Sequence, residues 1–201
     1  MIRVRVRGIA ATALTKILLD HGYRIVQASS IIRERFGLKE DYGAADVTVK
    51  DAGYDELLVL GFYGKADEVY RVLTDSLEYV FKWVSPVGLH SIYKGRVKSR
   101  EDDKCIVDLG GVEGILYNCR HSEGSEVLVG VEKPCIKPYE KPRLTYRLRI
   151  VGEYVSLIHG SPSITISEHI RDRGKRDYLV AIATASSFGY SLRNPFEITN
   201  L

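Results

Sequence analysis

Polar and apolar positions alternate from the first residues of this chain. Ile2, Val4 and Val6 are interleaved with Arg3, Arg5 and Arg7, a period of two that predicts a half-buried strand. Gly8 ends it. Ala10, Ala13, Leu14, Ile17 and Leu18 then recur at helical spacing up to His21, with Gly22 as a C-terminal punctuation. Tyr23 to Gln27 predicts a second strand and completes a β-α-β opening. Ser29-Ser30 offers a cap for a short helix ending near Phe36-Gly37. Strands over 45–50 and 56–62 flank the turn-rich Asp51-Ala52-Gly53-Tyr54-Asp55, which predicts a hairpin. The stripe of Ala66, Val69, Tyr70, Leu73, Leu77 and Val80 predicts the strongest helix, with Asp67 and Glu68 in its first turn, where the helix dipole favours acids.

Beyond Ser85-Pro86-Val87-Gly88 the pattern changes to strands. In residues 92–100, Lys94, Arg96, Lys98 and Arg100 share one face, and Tyr93, Gly95, Val97 and Ser99 the other. Strands over 104–109, 113–117 and 126–132 follow, separated by Glu101-Asp102-Asp103 and Gly110-Gly111. Residues 143–150 alternate sharply, predicting a last strand with Leu144, Tyr146, Leu148 and Ile150 on one side and Arg143, Thr145, Arg147 and Arg149 on the other. Five short strands with glycine-rich turns suit an OB-type barrel. In the remainder, 154–158 and 178–183 read as strands, Gly160-Ser161-Pro162 as a turn, and Ser167 as the cap of a short helix through Ile170. The expected fold is therefore α+β. A small N-terminal α/β domain occupies 1–86, an OB-fold barrel 87–150, and a short mixed α/β tail 151–201.

Composition changes this picture only in places. The chain has 201 residues, 45% hydrophobic and 27% charged, enough to bury a core without staples. No run approaches the roughly 18 apolar residues of a membrane span. The N-terminus is not a signal peptide, so a cytoplasmic location and no membrane partner are expected. The net charge of +3 lies in the second half, where 17 basic face 14 acidic residues, against 12 and 12 in residues 1–88. Lys137, Lys141, Arg143, Arg147 and Arg149 crowd 137–149 against Glu140 alone. Such clustering is what a phosphate-tracking surface needs. Base stacking needs exposed aromatics. Tyr117 and Tyr139 are the better candidates, whereas Tyr146, sharing a face with Leu144 and Leu148, is expected to be buried.

Catalytic signals are sparse. Two-metal phosphodiester chemistry needs clustered carboxylates. Asp102-Asp103 and Asp108 sit at turns, where acids are common for conformational reasons. His121, His159 and His169 lie in loops or at element ends, and any of them could serve as a general acid or base only with a positioned partner. The three cysteines, Cys105, Cys119 and Cys135, form no C-x-x-C pair and are expected as buried, inert thiols rather than metal ligands, even with His121 close to Cys119. No metal site and no cofactor are evident.

Several spaced motifs resemble a known family. Ile92-Tyr93-Lys94-Gly95-Arg96-Val97, Val107-Asp108-Leu109-Gly110 and Glu113-Gly114-Ile115-Leu116 resemble the OB-fold RNA-binding domain of the RNase E/G family. Arg143-Leu144-Thr145, Val151-Gly152-Glu153-Tyr154-Val155-Ser156-Leu157 and Gly160-Ser161-Pro162-Ser163-Ile164-Thr165-Ile166-Ser167 resemble the segment after that domain. Val4-Arg5-Val6-Arg7-Gly8-Ile9, Ala13-Leu14-Thr15 and Ile32-Arg33-Glu34-Arg35-Phe36-Gly37-Leu38 look like the archaeal branch, described as AU-rich RNA-binding proteins and as ribonucleases acting on ribosomal RNA precursors.

The resemblance implies single-stranded, AU-rich RNA as partner and an endoribonuclease setting in which Mg²⁺ would serve. The barrel aromatics that grip RNA in the bacterial enzymes are matched by Ile106 and Ile115. Gly152 and Arg193 match the 5′-phosphate pocket, with Asn194 where threonine is usual. The metal-binding aspartates of those enzymes lie downstream of this region, so the resemblance implies RNA binding more than cleavage. The expected RNA-contacting residues are Lys94, Arg96, Lys98, Tyr117, Lys141, Arg143, Arg147, Arg149, Gly152 and Arg193. A homo-oligomer is compatible with this reading. The alternative is a non-catalytic assembly module with a vestigial OB-fold.

Overall fold

The computed structural model describes residues 1–62, 64–152, 154–159, 164–168 and 170–185. It divides into two units, Met1–Lys82 and Trp83–Leu201.

In the first unit, β1 (Arg3–Val6) lies between β2 (Arg24–Ile25) and β3 (Val47–Gly53), parallel to both, and β4 (Glu56–Gly61) pairs antiparallel with β3. The helices α1 (Ala11–Asp20), α2 (Ser30–Phe36) and α3 (Lys65–Ser76) supply the connections and the final element. The alternation in β1 buries Val4 and Val6 with Leu14 and Leu18 of α1, Val47 and Val49 of β3, and Val69 and Leu73 of α3. Ser29 caps α2 by accepting from the Ile32 amide, and Gly37 closes it in the left-handed region at φ 62°. The α3 stripe ends sooner than expected. Leu77 is extended, Tyr79 has φ 57°, and the expected stripe residue Val80 is partly exposed.

Just before β3, an interior strand of this sheet, lies Asp46, whose side chain is only 3% exposed. Arg3 donates to it from its amide, Nε and Nη2, and Lys65 Nζ sits 2.7 Å from Oδ1. The Arg3 bonds, opposed by burial and joined by Lys65, hold this carboxyl well below the usual carboxylate range.

The second unit contains a closed five-stranded barrel. Its strands are β5 (Ile92–Glu101), β6 (Lys104–Asp108), β7 (Glu113–Tyr117), β8 (Glu126–Lys133) and β9 (Arg143–Thr145), in the spatial order β5-β6-β7-β9-β8. All pairings are antiparallel except β7 with β9. Val97, Val107, Leu116, Val127, Val129, Val131 and Leu144 fill the interior. Two motif glycines face inward for a steric reason. A Cβ on Gly95 would stand 2.4 Å from Val107 Cγ1, and one on Gly114 2.7 Å from Leu144 Cδ1.

The segment 143–150 is not one strand. Only Arg143–Thr145 joins the barrel. The chain turns through Tyr146–Leu148, with the Arg147 amide donating to Thr145 Oγ1, and re-enters a separate antiparallel sheet as β10 (Arg149–Val151), followed by β11 (Val155–Ile158) and β12 (Ile164–Ile166). The alternation therefore loses its phase: Leu148 is buried, but Tyr146 is 42% exposed. Residues 178–183, expected as a strand, belong to helix α4 (Arg173–Ala185), which starts where Asp172 Oδ1 accepts from the Lys175 amide. Ser167 caps no helix; its carbonyl accepts from the Ile170 amide in a single turn.

The cysteine expectation is also corrected. Cys105 and Cys119 form a disulfide, with Cα atoms 5.6 Å apart, because the β6–β7 hairpin returns the chain to its start: the Cys119 amide donates to the Asp103 carbonyl. Cys119 is thus no partner for His121 in a metal site. Cys135 alone remains a buried free thiol.

Candidate nucleic-acid interface

The outward positions of β6 and β7 are set by the same alternation that fills the barrel. Cys105, Val107, Gly114 and Leu116 point in. Between them, Lys104, Ile106 and Asp108 on β6 stand opposite Tyr117, Ile115 and Glu113 on β7. Ile106 and Ile115 are half-buried and Tyr117 is 45% exposed. In the parallel ladder, Arg143 of β9 is the partner of Ile115. The face is thus an aliphatic pair bordered by one exposed ring and by cations from both flanks. It corresponds to the second and third strands of the barrel, where OB-folds take their ligands.

The cations expected at this surface meet carboxylates. Lys94 Nζ lies 2.7 Å from Glu126, Arg143 Nε 2.8 Å from Glu132, and Lys98 and Lys141 hold the two oxygens of Glu113 at 3.0 and 2.8 Å. The lysine hydrogen bonds, Lys141 first, push the Glu113 carboxyl down to about 2. Asp108, bonded chiefly by the Gly111 amide and also by that of Gly110, and Glu126, bonded by Lys94, are lowered as well. The lysine-rich face of β5 is therefore a mixed surface of alternating sign. All these pairs are solvent-exposed, so each stabilises the barrel little.

Other expected site residues are scattered. Arg96 is exposed beside Glu126 in the β5–β8 ladder. Arg147 is exposed in the turn after β9, and Arg149 lies half-buried in β10 with its Nε enclosed and unbonded. Arg143, Arg147 and Arg149 therefore do not share one strand face. Gly152 occupies the β10–β11 hairpin, its amide donating to the Val155 carbonyl at 2.9 Å. Arg193, Asn194 and His169 lie outside the described residues. Tyr139 is 79% exposed, and Tyr146, expected in the core, instead meets the His121 ring at 5.8 Å. Sequence reasoning did not single out Lys104, nor Glu113 as the carboxylate joining two lysines. Both follow from strand register, which no local pattern carries.

Among the described residues, no three of His, Cys, Asp and Glu gather as a metal site requires. Asp108 is engaged with the glycine turn. The described carboxylates do not fit the Mg²⁺ that the family resemblance implies. No helix among the described residues is long and apolar enough to cross a membrane.

A mixed-sheet α/β unit and an OB-type barrel with an aliphatic strand 2–3 face define an α+β protein of the OB-barrel class. No protein-family profile matches the chain. Among curated proteins it is 64% identical over 190 residues to a probable ribonuclease FAU-1 from Staphylothermus marinus, 44% over 196 residues to one from Hyperthermus butylicus, and 36% over 195 residues to one from Pyrococcus horikoshii. Each match covers 94% of this chain, which spans only about two fifths of the relatives' length. Over the stretch it covers, the chain is similar to these archaeal probable ribonucleases.

Proposed function

We propose that the barrel binds single-stranded RNA, with AU-rich loops of ribosomal RNA precursors as substrate, and that it serves as the binding part of an endoribonuclease in the cytoplasm. The observation that carries this reading is the Ile106–Ile115 pair with Tyr117, set between Lys104 and Arg143 on the ligand face of an OB barrel. Bases rest on the aliphatic pair and the Tyr117 ring. Phosphates replace Glu113 and Glu132 as partners of Lys98, Lys141 and Arg143, and Lys94, Arg96, Arg147 and Arg149 extend the positive border. The relatives' names support RNA as the substrate class. The barrel with its tail, 87–150 and 151–201, forms the RNA-binding part in this reading, and 1–86 a separate α/β domain.

One gel series tests it. The pure chain is mixed with end-labelled AU-rich RNA in Mg²⁺ or in EDTA, and shift and fragments are followed together. The expected result is a shift without fragments in both arms. Fragments in Mg²⁺ alone would assign the chain a carboxylate site of its own. Neither shift nor fragments would leave the assembly-module reading in place of RNA binding.

A further inference from the structure

The barrel's basic residues are mostly matched by glutamates, but in the N-terminal sheet some are not. The face of β1 that carries Val4 and Val6 is covered by α1 and α3, and Arg3, Arg5 and Arg7 occupy the opposite face. Arg3 is committed to Asp46, and Arg24, its partner in the β1–β2 ladder, to Asp41. Arg5 and Arg7 have only neutral partners: Arg5 Nη1 donates to Gln27 Oε1 at 3.3 Å, and Arg7 Nη1 to the carbonyls of Gln27 and Val6 at 2.8 and 3.1 Å.

Lys50 joins them. Arg5 pairs with Thr48 and Val6 with Val49, and the Arg7 amide donates to the Val49 carbonyl, so the next position of β3 brings Lys50 beside Arg7. Lys50 is exposed, and among the described residues it meets no carboxylate; nor do Arg5 and Arg7. On β4, Leu58 stands opposite Lys50 and Leu60 opposite Thr48, both half-buried.

We propose that this sheet face, with Arg7 and Lys50 exposed and Arg5 half-buried, is a second RNA surface, which grips the sugar–phosphate backbone of a single strand through Arg5, Arg7 and Lys50 while Leu58 and Leu60 give the bases an apolar shelf. Alternate residues of a strand stand about 6.6 Å apart, a repeat that the phosphates of a stretched strand can follow. A guanidinium fork suits a phosphate's paired oxygens. The inference deepens the RNA-binding reading of the barrel and rests on it for the identity of the ligand. A polyanion of regular charge is favoured over an acidic protein because Arg5 and Arg7 follow the strand repeat, Lys50 stands beside Arg7 on the next strand, and Asp46 on the same face is taken by Arg3 and Lys65.

The test uses the full chain and an AU-rich single strand of about 30 nucleotides, roughly twice the largest site of one OB barrel. The dependence of affinity on salt is compared for the parent, for Arg5→Gln/Arg7→Gln/Lys50→Gln, for Lys50→Glu alone, and for the barrel variant Ile115→Asp/Tyr117→Ala. The triple variant is expected to lower the slope of log affinity against log salt by about 2, at about 0.7 for each lost single-strand phosphate contact. Lys50→Glu, which breaks no bond within the fold, is expected to lower it by at least about 0.7. If both sheet variants keep the parent slope while the barrel variant loses binding, the second surface is overturned and the barrel reading stands. If the sheet variants lose slope and the barrel variant does not lose affinity, the barrel reading falls and the sheet remains. No binding by the parent overturns both.

Discussion

Ile106 of β6 stands directly across the ladder from Ile115 of β7, and both side chains are half-buried on the outside of a barrel whose inside is already full. Two such residues on the ligand face are neither core nor random surface. An aromatic ring in either place would offer a nucleobase a flat partner, and base–aromatic stacking is worth about 1–3 kcal/mol. Ile115→Phe is expected to tighten AU-rich RNA by about fivefold or more, and Ile115→Asp to weaken it by a similar factor. Fluorescence anisotropy with a short labelled oligonucleotide reads both. Equal affinities for the three proteins would remove this face from the binding site.

Glu113 holds two lysines that the RNA reading assigns to phosphates. Glu113→Gln leaves Lys98 and Lys141 without their carboxylate and keeps the side-chain shape. RNA affinity is expected to rise and the salt slope to steepen by up to about 1.4, two single-strand contacts at about 0.7 each. The thermal midpoint is expected to stay nearly constant, since exposed ion pairs contribute little. A loss of affinity would mean that Glu113 positions the lysines rather than competing for them.

Asp46 is expected to dominate the acid sensitivity of the N-terminal unit. Its folded-state pKa is depressed, so its contribution to stability is fully present above the ordinary carboxylate value of about 3.9 and is lost as pH falls towards the folded value. Circular dichroism melts should show a midpoint that is flat from neutrality to about pH 5 and declines below about pH 4. Asp46→Ala leaves Arg3 and Lys65 unpaired and should cost about 3 kcal/mol at neutral pH, the lower end for breaking a buried pair because both cations retain access to water. In that variant the decline below pH 4 should be shallower. The same decline in parent and variant would assign the acid sensitivity to other carboxylates.

The Cys105–Cys119 bridge closes a separation of 14 residues around the hairpin that carries the Ile106–Ile115 face. On the chain-entropy account such a loop contributes about 3 kcal/mol. A strong reductant should lower the barrel's melting midpoint by several degrees, and Cys105→Ala/Cys119→Ala should match the reduced parent and be insensitive to reductant. If the reductant shifts the double variant as well, the effect belongs to Cys135 or to another process.

Local chemistry carried much of the fold in the sequence. Alternation at Ile2–Arg7, the Ser29 cap, the Gly37 stop and the glycine turns of the barrel each depend on residues within a few positions, and a linear pattern holds that information. The failures share a cause. Residues 143–150 alternate well enough for one strand, but whether a residue stays in a ladder is decided by other strands: Tyr146 and Arg147 pair with none, and Leu148 already accepts from the His159 amide beside the second sheet. Tyr178–Ala183 is an apolar run of a length that serves buried strand or helix alike; Asp172 before it was the cap that should have decided. Most of the site was illegible for the same reason. The lysines on β5 could be read from their spacing, but the glutamates that meet them lie on β7 and β8, and the pairing of Cys105 with Cys119 depends on the hairpin between them.

The turn at Tyr146–Leu148 has a practical consequence for anyone dividing this chain. Three residues can span about 11 Å at most, and here both ends are moored, with Tyr146 against His121 and Leu148 buried. The three-stranded sheet is thus on a short leash from β9, the strand that brings Arg143 to Ile115. An expression boundary drawn at residue 150, where the alternation invites one, would cut β10 one residue short of its end and remove its partner β11. The fragment would then keep the barrel but leave its last mooring loose.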